Sequence, residues 1–276
     1  MNTLKQLNQF ADNFPKTEKM PVLFLGHGSP MNAIEENQFT KGFQQIATTL
    51  PKPNAIIVIS AHWFTNGTKV TAMQKPRTIH DFAGFPEALF KVQYPAMGCP
   101  ILANETKKLL HPIKVELNED WGLDHGTWSV MKHLYPLADI PMIQMSIDYT
   151  QGPIYHFELA KQLSILRDKG ILLIGSGNII HNLGLVDWNN FDKVDYGYDW
   201  AIETKETVNK LILDRNFHPL IDYKKRDKAF QLAIPTPEHY LPLIYTLGLK
   251  QKDDSLHLFN DKLVGGSLSM TSLKIE

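Results

Sequence analysis

Short, wholly apolar runs that each give way to glycine, serine or histidine are what most constrain this chain. Val22 to Leu25 leads into Gly26-His27, Ala55 to Ile59 into Ser60-Ala61-His62, and Ile171 to Ile174 into Gly175-Ser176-Gly177. Apolar runs this short, beside glycine or proline, are buried strands. Between them lie stretches with helical character. Read in order, the chain has a strand at 22–25, a helix at 36–49, strands at 55–60 and 69–74, and a helix around 101–110. A short strand follows at 113–117, then a helix from near Thr127 to just before Pro136, a strand at 141–147, a helix at 153–168 closed by Gly170, and a strand at 171–176. The second half is more helical, at 195–214, at 222–233, and from Thr236-Pro237 to Gly248, with a last strand at 265–274. Pro242 spoils an early turn of the third of these helices and pushes its start a few residues later.

Apolar strands alternating with helices define an α/β fold, a central, mostly parallel sheet covered by helices on both faces. In such sheets ligands bind at the strand ends, in the loops that follow. No repeat, linker or composition shift divides the chain, so residues 1–276 read as a single catalytic domain, with 1–20 as an N-terminal extension or helix. The 28 basic and 29 acidic residues nearly cancel, which argues against a nucleic-acid partner and against an anionic membrane surface. Met1 to Met20 is polar and unlike a secretory leader, and no apolar run approaches the ~18 residues of a membrane span. The single cysteine, Cys99, excludes an internal disulfide and a cysteine-based zinc site; it reads as a packed small residue and points to the cytoplasm.

Of 11 histidines, three follow buried strands: His27 in Gly26-His27-Gly28-Ser29-Pro30, His62 in Ser60-Ala61-His62-Trp63, and His181 in Gly175-Ser176-Gly177-Asn178-Ile179-Ile180-His181. His125 lies in a loop just before a helix, and His239 near a helix start beside Glu238. A histidine at a strand end faces a cleft, and neutral imidazole is the commonest metal ligand. Catalytic metal sites use about three protein ligands and leave a position open. The other histidines (His80, His111, His133, His156, His218 and His257) read as surface or packing residues. No P-loop, dinucleotide loop, G-x-S-x-G elbow or H-E-x-x-H motif is present. Trp63, Trp121 and Trp128 adjoin the histidine motifs and either line a pocket or pack in the core.

Taken in order, Gly26-His27-Gly28-Ser29-Pro30, Ser60-Ala61-His62-Trp63, Leu123-Asp124-His125-Gly126, the segment ending His181-Asn182-Leu183, and Pro237-Glu238-His239-Tyr240 resemble the LigB-type class III extradiol ring-cleavage dioxygenases, and within them the bacterial 4,5-DOPA extradiol dioxygenases. The resemblance spans roughly residues 20–274. It implies a LigB-like fold and a non-haem enzyme that opens a catechol next to its two hydroxyls with O2, using one divalent ion, Fe(II) or Zn(II). It implies His27, His62 and His239 as metal ligands, with Glu238 as the rival of His239. His181 is implied either as an acid/base or as a fourth ligand, and His125 as a catalytic histidine that either stands behind the metal ligands or faces the substrate. A metal lowers the pKa of the hydroxyl it binds, and a histidine with an ordinary pKa of about 6.5 suits removal of the remaining proton. Zinc has no second accessible oxidation state, so the redox step requires iron. The plant pigment-forming relatives carry a proline-containing motif directly after the third strand-end histidine; His181-Asn182-Leu183-Gly184 departs from it, which leaves the physiological catechol open.

Three other readings compete. A zinc hydrolase could use the same histidines to activate water. A tetrapyrrole chelatase shares a His-Gly-Ser loop after its first strand, but not the full set of motifs. A non-enzymatic protein on this fold would have lost ligand histidines that this chain keeps. Monomer and homodimer both remain open.

Overall fold

The structure is a computed structural model that describes residues 17–276; the expected N-terminal extension falls mostly outside them. Eight strands form one sheet: β1 (Val22–Gly26), β2 (Ala55–Thr65), β3 (Thr68–Thr71), β4 (Val115–Asn118), β5 (Met142–Asp148), β6 (Ile171–Gly177), β7 (Leu256–Phe259) and β8 (Ser272–Ile275). Their spatial order is β4-β3-β5-β2-β6-β1-β8-β7. The central four, β5-β2-β6-β1, are parallel throughout. β3 pairs antiparallel with β5, and β8 runs antiparallel to both β1 and β7.

The apolar runs of the central strands are fully buried because both sheet faces are covered. Val22, Phe24, Ile57, Ile59, Ile171 and Leu173 join one apolar core, while Leu23, Leu25, Ile56, Val58, Leu172 and Ile174 join the other. Side chains alternate across a strand, so a continuous apolar run supplies both cores at once. The second face is packed by α1 (Gln38–Ala47) and α3 (His125–Leu134). The first is packed by α2 (Pro100–Leu109), α4 (Pro153–Leu163), α5 (Asp199–Leu213), α6 (Lys228–Ala233) and the wholly buried α7 (Leu241–Gly248). Cys99 is buried, as expected of a packed residue. Among the described residues no helix is long and apolar enough to cross a membrane.

Several boundaries differ from the sequence reading. β2 continues past residue 60 to Thr65, and its register against β5 shifts between Ile59 and Phe64. His62 therefore sits in an irregular stretch inside the strand, not beyond its end. α3 begins at His125, earlier than Thr127, because Asp124 caps it, accepting from the Thr127 amide at 3.1 Å. The expected helix 153–168 ends at Leu163 and tightens into a 3-10 turn, Ser164–Lys169. The expected helix 222–233 is only α6, preceded by a 3-10 turn at Tyr223–Lys225. α7 starts at Leu241 with Pro242 in its first turn, where proline costs no hydrogen bond. The expected strand 265–274 is a small hairpin (Leu263–Val264 with Leu268–Ser269) followed by β8. The half-exposed β7 escaped the sequence reading altogether.

Candidate active site

The five singled-out histidines converge at the C-terminal end of the parallel strands. β1 delivers His27, held by its amide donating to the Gly177 carbonyl of β6 at 3.1 Å. The irregular stretch of β2 delivers His62, and strand irregularities of this kind re-aim side chains. α3 brings His125 as its first residue, the loop after β6 brings His181, and the turn before α7 brings His239. Ring centroids lie 5.1 Å apart for His27 and His62, 3.8 Å for His62 and His125, 5.4 Å for His27 and His239, and 5.0 Å for His62 and His239. His181 stacks on His239 with centroids 3.5 Å apart and planes 9° from parallel. Ligand-capable atoms fall into two tight groups, one of His27, His62 and His125 and one of His181, Glu238 and His239.

Hydrogen bonds fix which nitrogens face inward. Ser176 Oγ donates to the Gly126 carbonyl at 2.5 Å, so at 3.0 Å it can only accept from His27 Nδ1. That puts the His27 proton on Nδ1 and leaves Nε2 with a bare lone pair. His62 Nδ1 lies 3.1 Å from Asp81 Oδ2, which places its proton there too. The two Nε2 atoms then face each other at 3.2 Å. Two lone pairs at that distance repel, whereas neighbouring imidazoles on one ion, with bonds of about 2.0–2.1 Å, stand about 3.0–3.4 Å apart. The donor set thus fits a divalent metal.

The surroundings hold four of the five rings neutral. Burial, reinforced by the neighbouring imidazoles, pushes His27 and His239 well below the ordinary histidine pKa. Burial likewise lowers His181 to about 4 and, against the raising effect of Asp81, lowers His125. A metal requires neutral imidazole, which these four rings offer at pH 7.

Three residues that the sequence reading missed build this arrangement. Asp81 Oδ2 lies 3.1 Å from His62 Nδ1 and 3.0 Å from His125 Nδ1, while its Oδ1 accepts from the His125 amide at 2.9 Å. Its hydrogen bonds to these histidines hold its carboxyl far below the usual carboxylate range despite burial. Fully buried Asp124 accepts from Ser60 Oγ and from Gln144 Nε2, both at 2.7 Å, tying α3 to β2 and β5. Ser176 sets the His27 tautomer. Carboxylates or hydroxyls behind metal-facing imidazoles are the signal to look for, but Asp81 is distant in sequence from every histidine motif and adjoins only His80, which reads as a surface or packing residue. Gly126 lets the start of α3 lie against the site, since a Cβ there would meet His62 Cδ2 at 2.8 Å.

Glu238 stands behind His239. Its Oε1 accepts from Thr236 Oγ1 at 2.7 Å and lies 3.3 Å from His239 Nδ1. The cavity over the histidines, about 480 Å³, is lined by His239 and not by Glu238. None of the three tryptophans beside the motifs lines it. Trp63 stacks on Trp121, Trp128 is fully buried, and the cavity's tryptophan is Trp188.

Residues 21–268 match the family of the catalytic LigB subunit of aromatic ring-opening dioxygenase. The chain is 47% identical over 268 residues to the 4,5-DOPA dioxygenase extradiol of Escherichia coli K12, covering 96% of this chain and 97% of that one. It is 33% identical over 270 residues to the enzyme of the same description from Beta vulgaris, covering 95% and 97%. A crystal structure of an uncharacterized E. coli K12 protein superposes with a TM-score of 0.81 at 44% identity, covering 93% of this chain and all of that one.

The chain therefore belongs to the LigB family of aromatic ring-opening dioxygenases. It is an extradiol dioxygenase, an oxidoreductase that incorporates O2 and works with a divalent metal, and the hydrolase, chelatase and non-enzymatic readings give way to that.

Proposed function

We propose that this enzyme opens the ring of a DOPA-like catechol at an ion held by His27, His62 and His239, within one catalytic unit. The facing Nε2 atoms of His27 and His62, each with its proton fixed on the far nitrogen, carry this reading. His239 is favoured over Glu238 because it lines the cavity while Glu238 buttresses its Nδ1 from behind. A bound ion supplies the acidity that ionises a catechol hydroxyl, and iron(II) also supplies the electron traffic that zinc cannot; iron(II) is therefore the proposed working metal.

His125 and His181 handle the proton. Both are neutral near pH 7, so the Nε2 of either can accept the hydrogen of a catechol hydroxyl. His125 is the stronger candidate. Asp81 beside its Nδ1 stabilises the imidazolium that forms, an arrangement seen wherever a carboxylate orients a catalytic histidine. His181, stacked on His239, is placed to act as a further ligand when no substrate is bound.

The test is oxygen uptake with L-DOPA after the protein is stripped of metal and reloaded anaerobically with Fe(II) or Zn(II). Uptake with ring-opened product on iron alone is the expected result. Uptake on zinc, or none on iron across a catechol panel, would overturn the proposal.

A further inference from the structure

Away from the histidines the cavity is walled almost entirely by apolar and aromatic side chains. Phe82 and Phe85 meet edge to face at 5.3 Å on one side. Trp188 and Phe191 stack at 5.4 Å on the other, with Leu183 beside them. Trp188 and Leu183 are 68% and 57% exposed, an unusual state for large apolar residues at the mouth of a site. Among the described residues no lysine, arginine, aspartate or glutamate lines the cavity.

We infer that the preferred substrate is a catechol whose ring substituent is uncharged and apolar, seated between the Phe82–Phe85 and Trp188–Phe191 walls. This rests on the reading that the catechol oxygens face the histidines. A carboxylate on the substituent would lie against aromatic faces, whose potential is negative, with no cation lining the cavity to pair it; Lys193, flanked by Asp192, lines only the adjoining hollow beyond Phe191. The zwitterionic end of DOPA is thus tolerated at the open mouth but adds nothing to binding. An alkyl substituent of the same length buries its surface on both walls. The cavity volume is in the range of small-molecule sites and exceeds what a bare catechol fills.

Binding without turnover isolates this preference. Zn(II)-loaded protein in oxygen-free buffer is titrated calorimetrically with 4-propylcatechol, 3-(3,4-dihydroxyphenyl)propionate, dopamine and L-DOPA. The neutral ligand is expected to bind about tenfold or more tighter than the carboxylated two. In Trp188→Ser, an exposed position whose change spares the fold, affinity for 4-propylcatechol is expected to fall about fivefold further than that for catechol itself. Equal or tighter binding of the carboxylated catechols would overturn the inference, as would tightest binding of dopamine, which would make the aromatic wall a cation site. The expected order without oxygen uptake on iron would leave the preference standing and overturn ring cleavage alone. No binding of any of the four would overturn both.

Discussion

Asp81 is where the two proposed tasks of the site meet, because one carboxylate stands behind both His62, the proposed metal ligand, and His125, the proposed proton acceptor. Asp81→Asn keeps the shape but loses the charge beside the Nδ1 atoms of His62 and His125. Metal affinity should fall about 10- to 100-fold, read by competition with a chromophoric chelator; unchanged affinity would mean that packing alone orients the rings. His62→Ala should abolish metal binding and ring opening while the circular dichroism spectrum is unchanged, and full metal stoichiometry in that variant would remove His62 from the ligands. His125→Gln should keep the metal and lose turnover. Turnover at the wild-type rate would leave His181 as the proton acceptor.

At the scale of elements, the site depends on how closely α7 approaches β6. A Cβ on Gly177 would meet the His239 carbonyl at 2.2 Å, and one on Gly175 would meet the Pro242 carbonyl at 2.4 Å. The strand is smooth there so that the turn carrying His239 can lie across it. Overpacking of this kind costs about 1–3 kcal/mol. Gly177→Ala should lower the urea midpoint accordingly and, by moving His239, weaken metal binding as well. A stability loss with wild-type metal affinity would show that the turn shifts without carrying the ligand away.

Acid sensitivity belongs to the whole molecule. Fully buried His156, whose Nδ1 lies 3.0 Å from Tyr245 Oη, is lowered by burial to about 4. Between that value and the unfolded value of about 6.5 the unfolded chain binds the extra proton, so stability falls as pH drops through this window, by about 3 kcal/mol at most. His156→Gln should flatten the fall in urea midpoint between pH 7 and pH 5; an unaltered slope would assign it to the site histidines instead. At the other end of the molecule, buried Arg167 pairs with Asp254 and donates to the Met20 and Leu249 carbonyls at 2.8 and 3.0 Å. Although burial opposes it, hydrogen bonding from Arg167 and Lys19 holds Asp254 down to about 2, so this contribution persists above pH 4 and is lost only as pH falls through about 2. Arg167→Ala leaves the buried Asp254 carboxylate with only Lys19 as a counter-charge and should cost up to about 3–5 kcal/mol in urea unfolding.

The sequence by itself determined the α/β class and the identity of the five converging histidines. An apolar run long enough for one strand and buried on both faces leaves few folds open, and a histidine placed right after such a run has nowhere to point but the cleft. It determined less well where elements end, because caps and prolines act together with tertiary contacts. Asp124 starts α3 two residues early while also bonding Ser60 and Gln144, and half-exposed β7 forms only because β8 is there to pair with it. Only the tertiary structure decided how the site works. Asp81 carries no motif of its own, and Ser176 lies in one only as a neighbour of His181; their roles exist because residues 149, 35 or 44 positions apart in sequence, such as Ser176 with His27, His62 with His27 and His125 with Asp81, come within hydrogen-bonding reach. Proton positions and the lining of a cavity follow from distances and angles between such residues, and those are fixed by packing rather than by spacing along the chain.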